Sequence, residues 1–216
     1  MNVRLWVILL AIFAAPTLAR ADEVRIIGDS IGEGLHLTSG IPSPANRFNV
    51  AIYTRKAIDQ LHDMPRGATV VMSLGTNDAV AGMDDQKAKV DEIVAAAAAQ
   101  GVKLFWVGPP CVLTKWEIHS KALDENLAKQ LDGTAVTYVS AQTPEFCAAS
   151  MHAGDGVHFT MAGYASIWQK AAAVAGVPVV VASSAGPKAG SSHIYAKSSH
   201  HKGKKKKHKP KNTDAM

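Results

Sequence analysis

Three short segments of the chain carry side chains that together could hydrolyse an ester. They are Gly28-Asp29-Ser30-Ile31, Gly75-Thr76-Asn77-Asp78 and Asp155-Gly156-Val157-His158. A serine hydroxyl attacks a carbonyl only when a base removes its proton, and that base needs a third group to hold its orientation. Acyl transfer also needs hydrogen-bond donors for the oxyanion that forms. The three segments supply all of these groups, although they lie far apart in the sequence.

The residue types predict a role for each side chain. Ser30 is the candidate nucleophile, His158 the general base, and Asp155 the acid that orients the base. The Asn77 amide is a candidate oxyanion donor, together with backbone N–H groups near Ser30, where a strand turns into a helix. Each motif alone is also ordinary turn chemistry. The prediction therefore depends on their combination and on their placement at the ends of strands.

The last motif allows a second interpretation. His152, Asp155 and His158 form an H-x-x-D-x-x-H string whose spacing could hold a metal ion. That hypothesis leaves the serine and asparagine motifs unexplained, so we favour hydrolysis without a metal. For Asp29 and Asp78 we expect a supporting role, in which the carboxylates brace their own loops through hydrogen bonds.

The motifs can act together only if the intervening chain brings them to one place. Short apolar runs at 24–27, 48–52, 69–74, 102–107 and 135–139 alternate with amphipathic stretches at 54–63, 84–100, 117–131 and 161–175. This alternation predicts an α/β fold, a three-layer α/β/α sandwich with a five-stranded parallel sheet in the flavodoxin-like order 2-1-3-4-5. In that order the first and third strands are neighbours, so Ser30 and Asn77 would flank the crevice at their carboxyl ends.

The same residues resemble the SGNH or GDSL hydrolases. Members of that family have a Ser in Gly-Asp-Ser near the N-terminus, Gly-x-Asn-Asp after a middle strand and Asp-x-x-His near the C-terminus. The resemblance covers about residues 24–175. It implies Ser30 as nucleophile, Asn77 as oxyanion donor, His158 as general base and Asp155 as its orienting acid. It also implies the three-layer fold, with no metal or organic cofactor.

One block of that family is different here. The family usually has a glycine just after the second strand whose backbone N–H is a third oxyanion donor, but this chain has Val50-Ala51-Ile52-Tyr53-Thr54. Since every non-proline residue has an N–H, Thr54 or Tyr53 could donate instead, and Thr54 is our first candidate. The missing glycine also leaves open a hypothesis of another class, an inactive binding module.

The two ends of the chain differ in composition from the part that carries the motifs. Residues 1–21 contain an apolar run followed by Ala19-Arg20-Ala21, which predicts a signal peptide that is cleaved near Ala21, and export to the periplasm or the cell exterior. An uncleaved anchor is the alternative, but the run is shorter than the about 20 apolar residues that span a bilayer. Residues 22–176 are predicted to form the catalytic domain, with 12 Lys and Arg against 17 Asp and Glu.

The C-terminal segment, residues 177–216, is predicted to be a disordered basic tail. It holds nine Lys against one acidic residue and is rich in Ser and His, so it cannot bury enough apolar surface to offset its ordering entropy. The lysines could bind an anionic polymer or a membrane surface, or could be solvated with no specific partner. We do not expect nucleic-acid binding, because Tyr195 is the only aromatic residue among the lysines.

The chain has two cysteines, Cys111 and Cys147. An even count in an exported protein favours a disulfide, and both residues follow adjacent predicted strands at the same edge of the sheet. Two free buried thiols are the alternative.

The substrate is predicted from the shape of the domain. A compact domain with short linkers favours esters of short acyl groups such as acetyl. Export and the basic tail suggest a carbohydrate carrier, an envelope or extracellular polysaccharide. The alternative is a lipase or lysophospholipase-like activity on longer acyl chains.

Overall fold

The computed structural model describes residues 23–43 and 49–179. The predicted signal peptide and residues 180–216 of the predicted tail lie outside the described residues. The described strands are β1 Val24–Gly28, β2 Thr69–Ser73, β3 Lys103–Val107 and β4 Thr137–Val139. The described helices are α1 Ser30–Ser39, α2 Lys56–His62, α3 Thr76–Val80, α4 Lys87–Gln100, α5 Glu117–Leu131 and α6 Met161–Ala175, with a 3-10 turn at Ala149–Met151. None of these helices has the length and apolar character needed to cross a bilayer.

Each face of the sheet has its own hydrophobic core, because successive residues of a strand point to opposite faces. Val70 and Met72 of β2 pack with side chains of α2, α4 and α5, whereas Val71 between them packs with side chains of α1 and α6. The predicted α/β fold with a parallel sheet is confirmed, with helices on both faces. Val177 also belongs to the second core, so the folded region extends past the predicted boundary at 176.

The prediction of a five-stranded sheet is wrong for one strand, because the described residues form four strands in the order β1-β2-β3-β4. The predicted second strand, at 48–52, is an irregular loop in its described part, although its apolar side chains are fully buried. Side chains that follow β2 take the hydrogen bonds a strand would make. The carbonyl of Val50 accepts from Asn77, and the N–H of Ile52 donates to Asp78.

A side chain of α2 completes the outer edge of β1. The Gln60 Oε1 accepts from the Gly28 N–H at 2.8 Å, and the Gln60 Nε2 donates to the Gly28 carbonyl at 3.2 Å. A side-chain amide offers the same donor and acceptor as a peptide group. Gln60, which is 7% exposed, therefore stands in for a partner strand at the last residue of β1. At this residue, therefore, the edge of β1 has no unpaired backbone group.

Replacing Gln60 with Leu should lower the free energy of unfolding by about 2 to 4 kcal/mol, because two buried backbone groups of Gly28 lose their partner. Urea denaturation followed by circular dichroism measures this change. Gln86→Leu, at the residue before α4, is the matched control and should change the stability by less than about 0.5 kcal/mol. Equal effects of the two substitutions would contradict the role assigned to Gln60.

Candidate active site

Ser30, His158 and Asp155 form a continuous chain of hydrogen bonds. The Ser30 Oγ lies 3.0 Å from the His158 Nε2, and the His158 Nδ1 lies 2.7 Å from the Asp155 Oδ2. An ionised Asp155 accepts the hydrogen bond from Nδ1–H, which leaves the Nε2 lone pair facing the serine hydroxyl. This arrangement allows the imidazole to take the hydroxyl proton as Ser30 attacks a substrate.

The turn from β1 into α1 presents Ser30. Gly28 has φ +117°, and a Cβ on it would lie 1.8 Å from the Ser73 carbonyl oxygen, so this position requires glycine. Asp29 is the N-cap of α1, and its Oδ1 accepts from the N–H groups of the first helical turn at 3.0 and 3.5 Å. Ser30 is the first residue of α1, and its N–H has no partner within the helix. That N–H can therefore donate to a bound oxyanion.

A tight loop before α6 carries Asp155 and His158, the candidate acid and base. The Asp155 Oδ1 accepts from the N–H groups of Val157 and His158, both at 2.9 Å, and the Ala153 N–H donates to the His158 carbonyl at 2.8 Å. Partial burial alone would raise the pKa of Asp155, but hydrogen bonds from the His158 ring and from these two N–H groups outweigh it and lower the pKa. Asp155 is therefore ionised at neutral pH and can stabilise an imidazolium on His158.

The loop is fastened to the segment that follows β3. Cys111 and Cys147 form the predicted disulfide. The His152 Nε2 lies 2.9 Å from the Cys111 carbonyl oxygen, and the Leu113 N–H donates to the Gly156 carbonyl at 2.6 Å. These contacts restrain the loop on both sides of Asp155, which supports the orientation of the acid and the base.

The structure separates the histidines of the H-x-x-D-x-x-H string. Both ring nitrogens of His152 face backbone carbonyls, at 3.1 and 2.9 Å, whereas those of His158 face the serine hydroxyl and the aspartate. The string therefore does not form one set of metal ligands. Among the described residues, candidate ligand atoms lie within 4.8 Å of one another at Cys111, Glu117 and Cys147. The two cysteine sulfur atoms there form the disulfide. Because metals bind the thiolate form of cysteine, these sulfur atoms do not offer metal ligands in this form.

Asn77 lies in the first turn of α3, directly after β2. Its Nδ2 donates to the Val50 carbonyl at 2.8 Å. An amide nitrogen carries two N–H groups, so the second remains for a ligand. Because β1 and β2 are paired parallel neighbours, Asn77 and Ser30 follow adjacent strands at the same edge of the sheet.

The structure does not support Thr54 as the third oxyanion donor. The Thr54 N–H donates to the Ala51 carbonyl at 3.1 Å, and the Thr54 hydroxyl donates to the same carbonyl at 2.8 Å. The other candidate, the Tyr53 N–H, donates to the Asp78 Oδ1 at 3.1 Å. Both groups are engaged in holding the loop. The Thr54 assignment is therefore corrected, and the candidate donors that remain are the Ser30 N–H and the Asn77 amide.

Two buried carboxylates lie next to the candidate nucleophile and the candidate donor. Asp29 and Asp78 are both fully buried, and burial raises the pKa of each to about 6, although backbone N–H groups donate to both. The charge of Asp78 further raises the pKa of Asp29. Sequence reasoning assigned both to local bracing but missed the contact of Asp78 with the loop at 49–54, since no local signal marks a bond across 25 or 26 residues.

Similar solved structures share this architecture, although no protein-family model and no curated protein sequence matches the chain. A protein assigned as an SGNH hydrolase from Slackia heliotrinireducens is 16% identical, with a TM-score of 0.55 over 73% of this chain and 99% of that one. A protein assigned to the lipolytic G-D-S-L family from Desulfitobacterium hafniense DCB-2 is 17% identical, with a TM-score of 0.56 over 71% and 99%. TesA is 17% identical, with a TM-score of 0.52 over 70% and 96%. At these identities the comparison establishes the fold, which is that of SGNH and GDSL hydrolases.

Asp29→Asn should stabilise the protein at neutral pH, because it keeps an N-cap acceptor and removes a buried charge. With the pKa of Asp29 raised from 3.8 to about 6, the folded state holds a proton that the unfolded state has lost between these values. Wild-type stability therefore falls as the pH rises through this window and stays lower above it. We expect a gain of about 1 to 3 kcal/mol at neutral pH that vanishes near the lower end of the window. Urea denaturation across this pH range measures it, and a gain independent of pH would contradict the assignment.

Proposed function

We propose that this protein is a serine esterase that hydrolyses carboxylic esters through an acyl-enzyme intermediate. The observation that carries the proposal is the hydrogen-bonded set of Ser30, His158 and Asp155. The oxyanion donors beside Ser30 and the fold shared with SGNH and GDSL hydrolases support it.

The reaction would begin with attack of the Ser30 Oγ on the ester carbonyl carbon while the His158 Nε2 takes the hydroxyl proton. The oxyanion of the tetrahedral intermediate would receive hydrogen bonds from the Ser30 N–H and the Asn77 amide, and Asp155 would stabilise the imidazolium. Collapse expels the alcohol, which receives its proton from His158, and leaves an acyl group on Ser30. A water molecule, deprotonated by His158, then releases the carboxylic acid and restores the hydroxyl.

For the substrate we propose a short acyl group such as acetyl, on an envelope or extracellular polysaccharide. The turns from β1 into α1 and from β2 into α3, which are one and two residues long, support a small acyl site. We propose further that the protein is exported after removal of residues 1–21 and that the basic tail holds it near an anionic polymer or membrane surface. The disulfide between Cys111 and Cys147 is compatible with an oxidising compartment.

Exposed apolar side chains near the site favour the alternative, a lipase or lysophospholipase-like activity. Tyr53, 43% exposed, lies in the loop that contacts Asp78, and Leu113, 46% exposed, contacts the loop of Asp155 and His158. Apolar surface at these positions could contact a longer acyl chain of a substrate.

Ser30→Ala should lower kcat/KM for p-nitrophenyl acetate by about 10⁴-fold or more, because the nucleophile is lost while the fold is kept. Initial rates of the purified protein measure this. Ser150→Ala, an exposed serine on the 3-10 turn, is the matched control and should retain wild-type activity. Comparable hydrolysis by wild type and Ser30→Ala would overturn the proposed function.

A series of p-nitrophenyl esters from acetate to palmitate tests the acyl preference. A small acyl site predicts the highest kcat/KM at acetate and a decline with each added pair of methylenes. A maximum at medium or long chains would reject the short-acyl proposal and favour the lipase-like alternative. Ser30→Ala, measured with every ester, corrects for hydrolysis that does not involve the site.

A further inference from the structure

We infer that Asp78 is a positioning residue for the candidate oxyanion donor Asn77. The Asp78 carboxylate fixes the loop at 49–54, and a carbonyl of that loop fixes the amide of Asn77. The inference rests on the proposed function, because it concerns how the same site is held in a productive geometry.

The Asn77 amide needs an external contact to hold its direction. Rotation of a terminal amide about χ2 is broad, so its backbone alone does not aim the N–H groups. The contact seen in the structure is the bond from Nδ2 to the Val50 carbonyl, at 2.8 Å. The two N–H groups of an amide lie in one plane at a fixed angle, so fixing one of them also fixes the other. The Val50 carbonyl thus determines where the second N–H points.

The Val50 carbonyl is in turn placed by a loop that has no strand pairing. Asn49 at its start has φ +58°, a left-handed conformation that departs from a strand. The Asp78 Oδ2 accepts from the Ile52 N–H at 2.9 Å and its Oδ1 accepts from the Tyr53 N–H at 3.1 Å. Both bonds have an ionised acceptor in a fully buried position, where such bonds are strong.

These bonds close a ring of contacts. Asn77 bonds to Val50, the loop continues to Ile52, Ile52 bonds to Asp78, and Asp78 follows Asn77 in the chain. A shift of the loop therefore moves the Val50 carbonyl, which orients the Asn77 amide. The ring makes the Asn77 amide rigid before substrate binds, which is the condition under which an oxyanion donor contributes most.

The same ring explains what replaces the glycine of the second strand. The N–H groups of Ile52, Tyr53 and Thr54 are all engaged within the loop or with Asp78. These three residues therefore supply no free N–H donor, and the loop contributes a carbonyl that orients a donor. With two donors in place of three, each contributes a larger share of oxyanion stabilisation. The orientation of the Asn77 amide therefore has a larger effect on the rate.

A double-mutant cycle with p-nitrophenyl acetate tests the inference on the purified protein. Asn77→Ala should lower kcat by about 10²- to 10³-fold. Asp78→Asn keeps the size of the side chain but replaces one acceptor oxygen with an amide nitrogen, which cannot accept from the N–H that faces it. This variant should lower kcat by about 10- to 100-fold, with KM within about twofold. In the Asn77→Ala background, Asp78→Asn should lower kcat by less than about threefold, because the donor it would misplace is gone.

A role of Asp78 in stability alone would give the same further loss of kcat in both backgrounds, and that result, or an unchanged kcat in Asp78→Asn, would overturn the inference. Asp124→Asn is the matched control. Asp124 is a buried carboxylate that accepts two hydrogen bonds, from Tyr138 at 2.6 Å and Ser140 at 2.8 Å, outside the ring. Its replacement should leave kcat unchanged.

Asp78→Glu keeps the experiment decisive if Asp78→Asn does not fold. Glutamate retains two acceptor oxygens, so it should give the same non-additive pattern with a smaller loss of kcat, and additive losses would again contradict the inference. Failure of the proposed function is distinguishable, because it appears as wild-type hydrolysis by Ser30→Ala. Additive losses together with an inactive Ser30→Ala would reject the role of Asp78 and leave the proposed function in place.

Discussion

The close pairing of β1 with β2 brings the turns that carry Ser30 and Asn77 to one edge of the sheet. Gly28 pairs with Ser73 at the ends of the two strands, and there is no room for a Cβ between Gly28 and the Ser73 carbonyl. Because parallel neighbours end at one edge, Ser30 and Asn77, which follow these two strands, lie at the same edge of the sheet. The chain then returns through the loop before α6, where His158 completes a hydrogen bond to Ser30 across 128 residues.

Buried charge supports this geometry and lowers stability at the same time. Asp29 caps the helix that begins with Ser30, and Asp78 holds the loop that contacts Asn77. Burial raises the pKa of both carboxyls to about 6, so keeping them ionised at neutral pH opposes folding. Charged groups under such strain are typical of functional sites, where geometry takes precedence over stability.

Much of this arrangement could be predicted because it depends on local patterns. Apolar runs at strand length predicted all four observed strands, and the residue types of Ser30, Asp155 and His158 predicted side chains that the fold brings into contact. The error at 48–52 has a physical cause. An apolar run indicates that its side chains are buried, but it does not indicate which groups its backbone forms hydrogen bonds with. The partners of that loop are Asn77 and Asp78, whose bonds to it span 25 to 27 residues, and no periodicity marks them. The Thr54 assignment was wrong because it assumed that a strand ends before Thr54. The structure has a turn there, in which the Thr54 side chain donates to the Ala51 carbonyl.

We propose that His158 makes the hydroxyl of Ser30 nucleophilic. The most direct measurement is labelling with a fluorophosphonate, which reacts with activated serine hydroxyls, followed by peptide mass spectrometry. We expect the label on Ser30. His158→Ala should abolish it, whereas His62→Ala, at an exposed histidine of α2, should leave it unchanged. An unlabelled Ser30, or labelling that persists without the His158 imidazole, would show that His158 does not activate this hydroxyl.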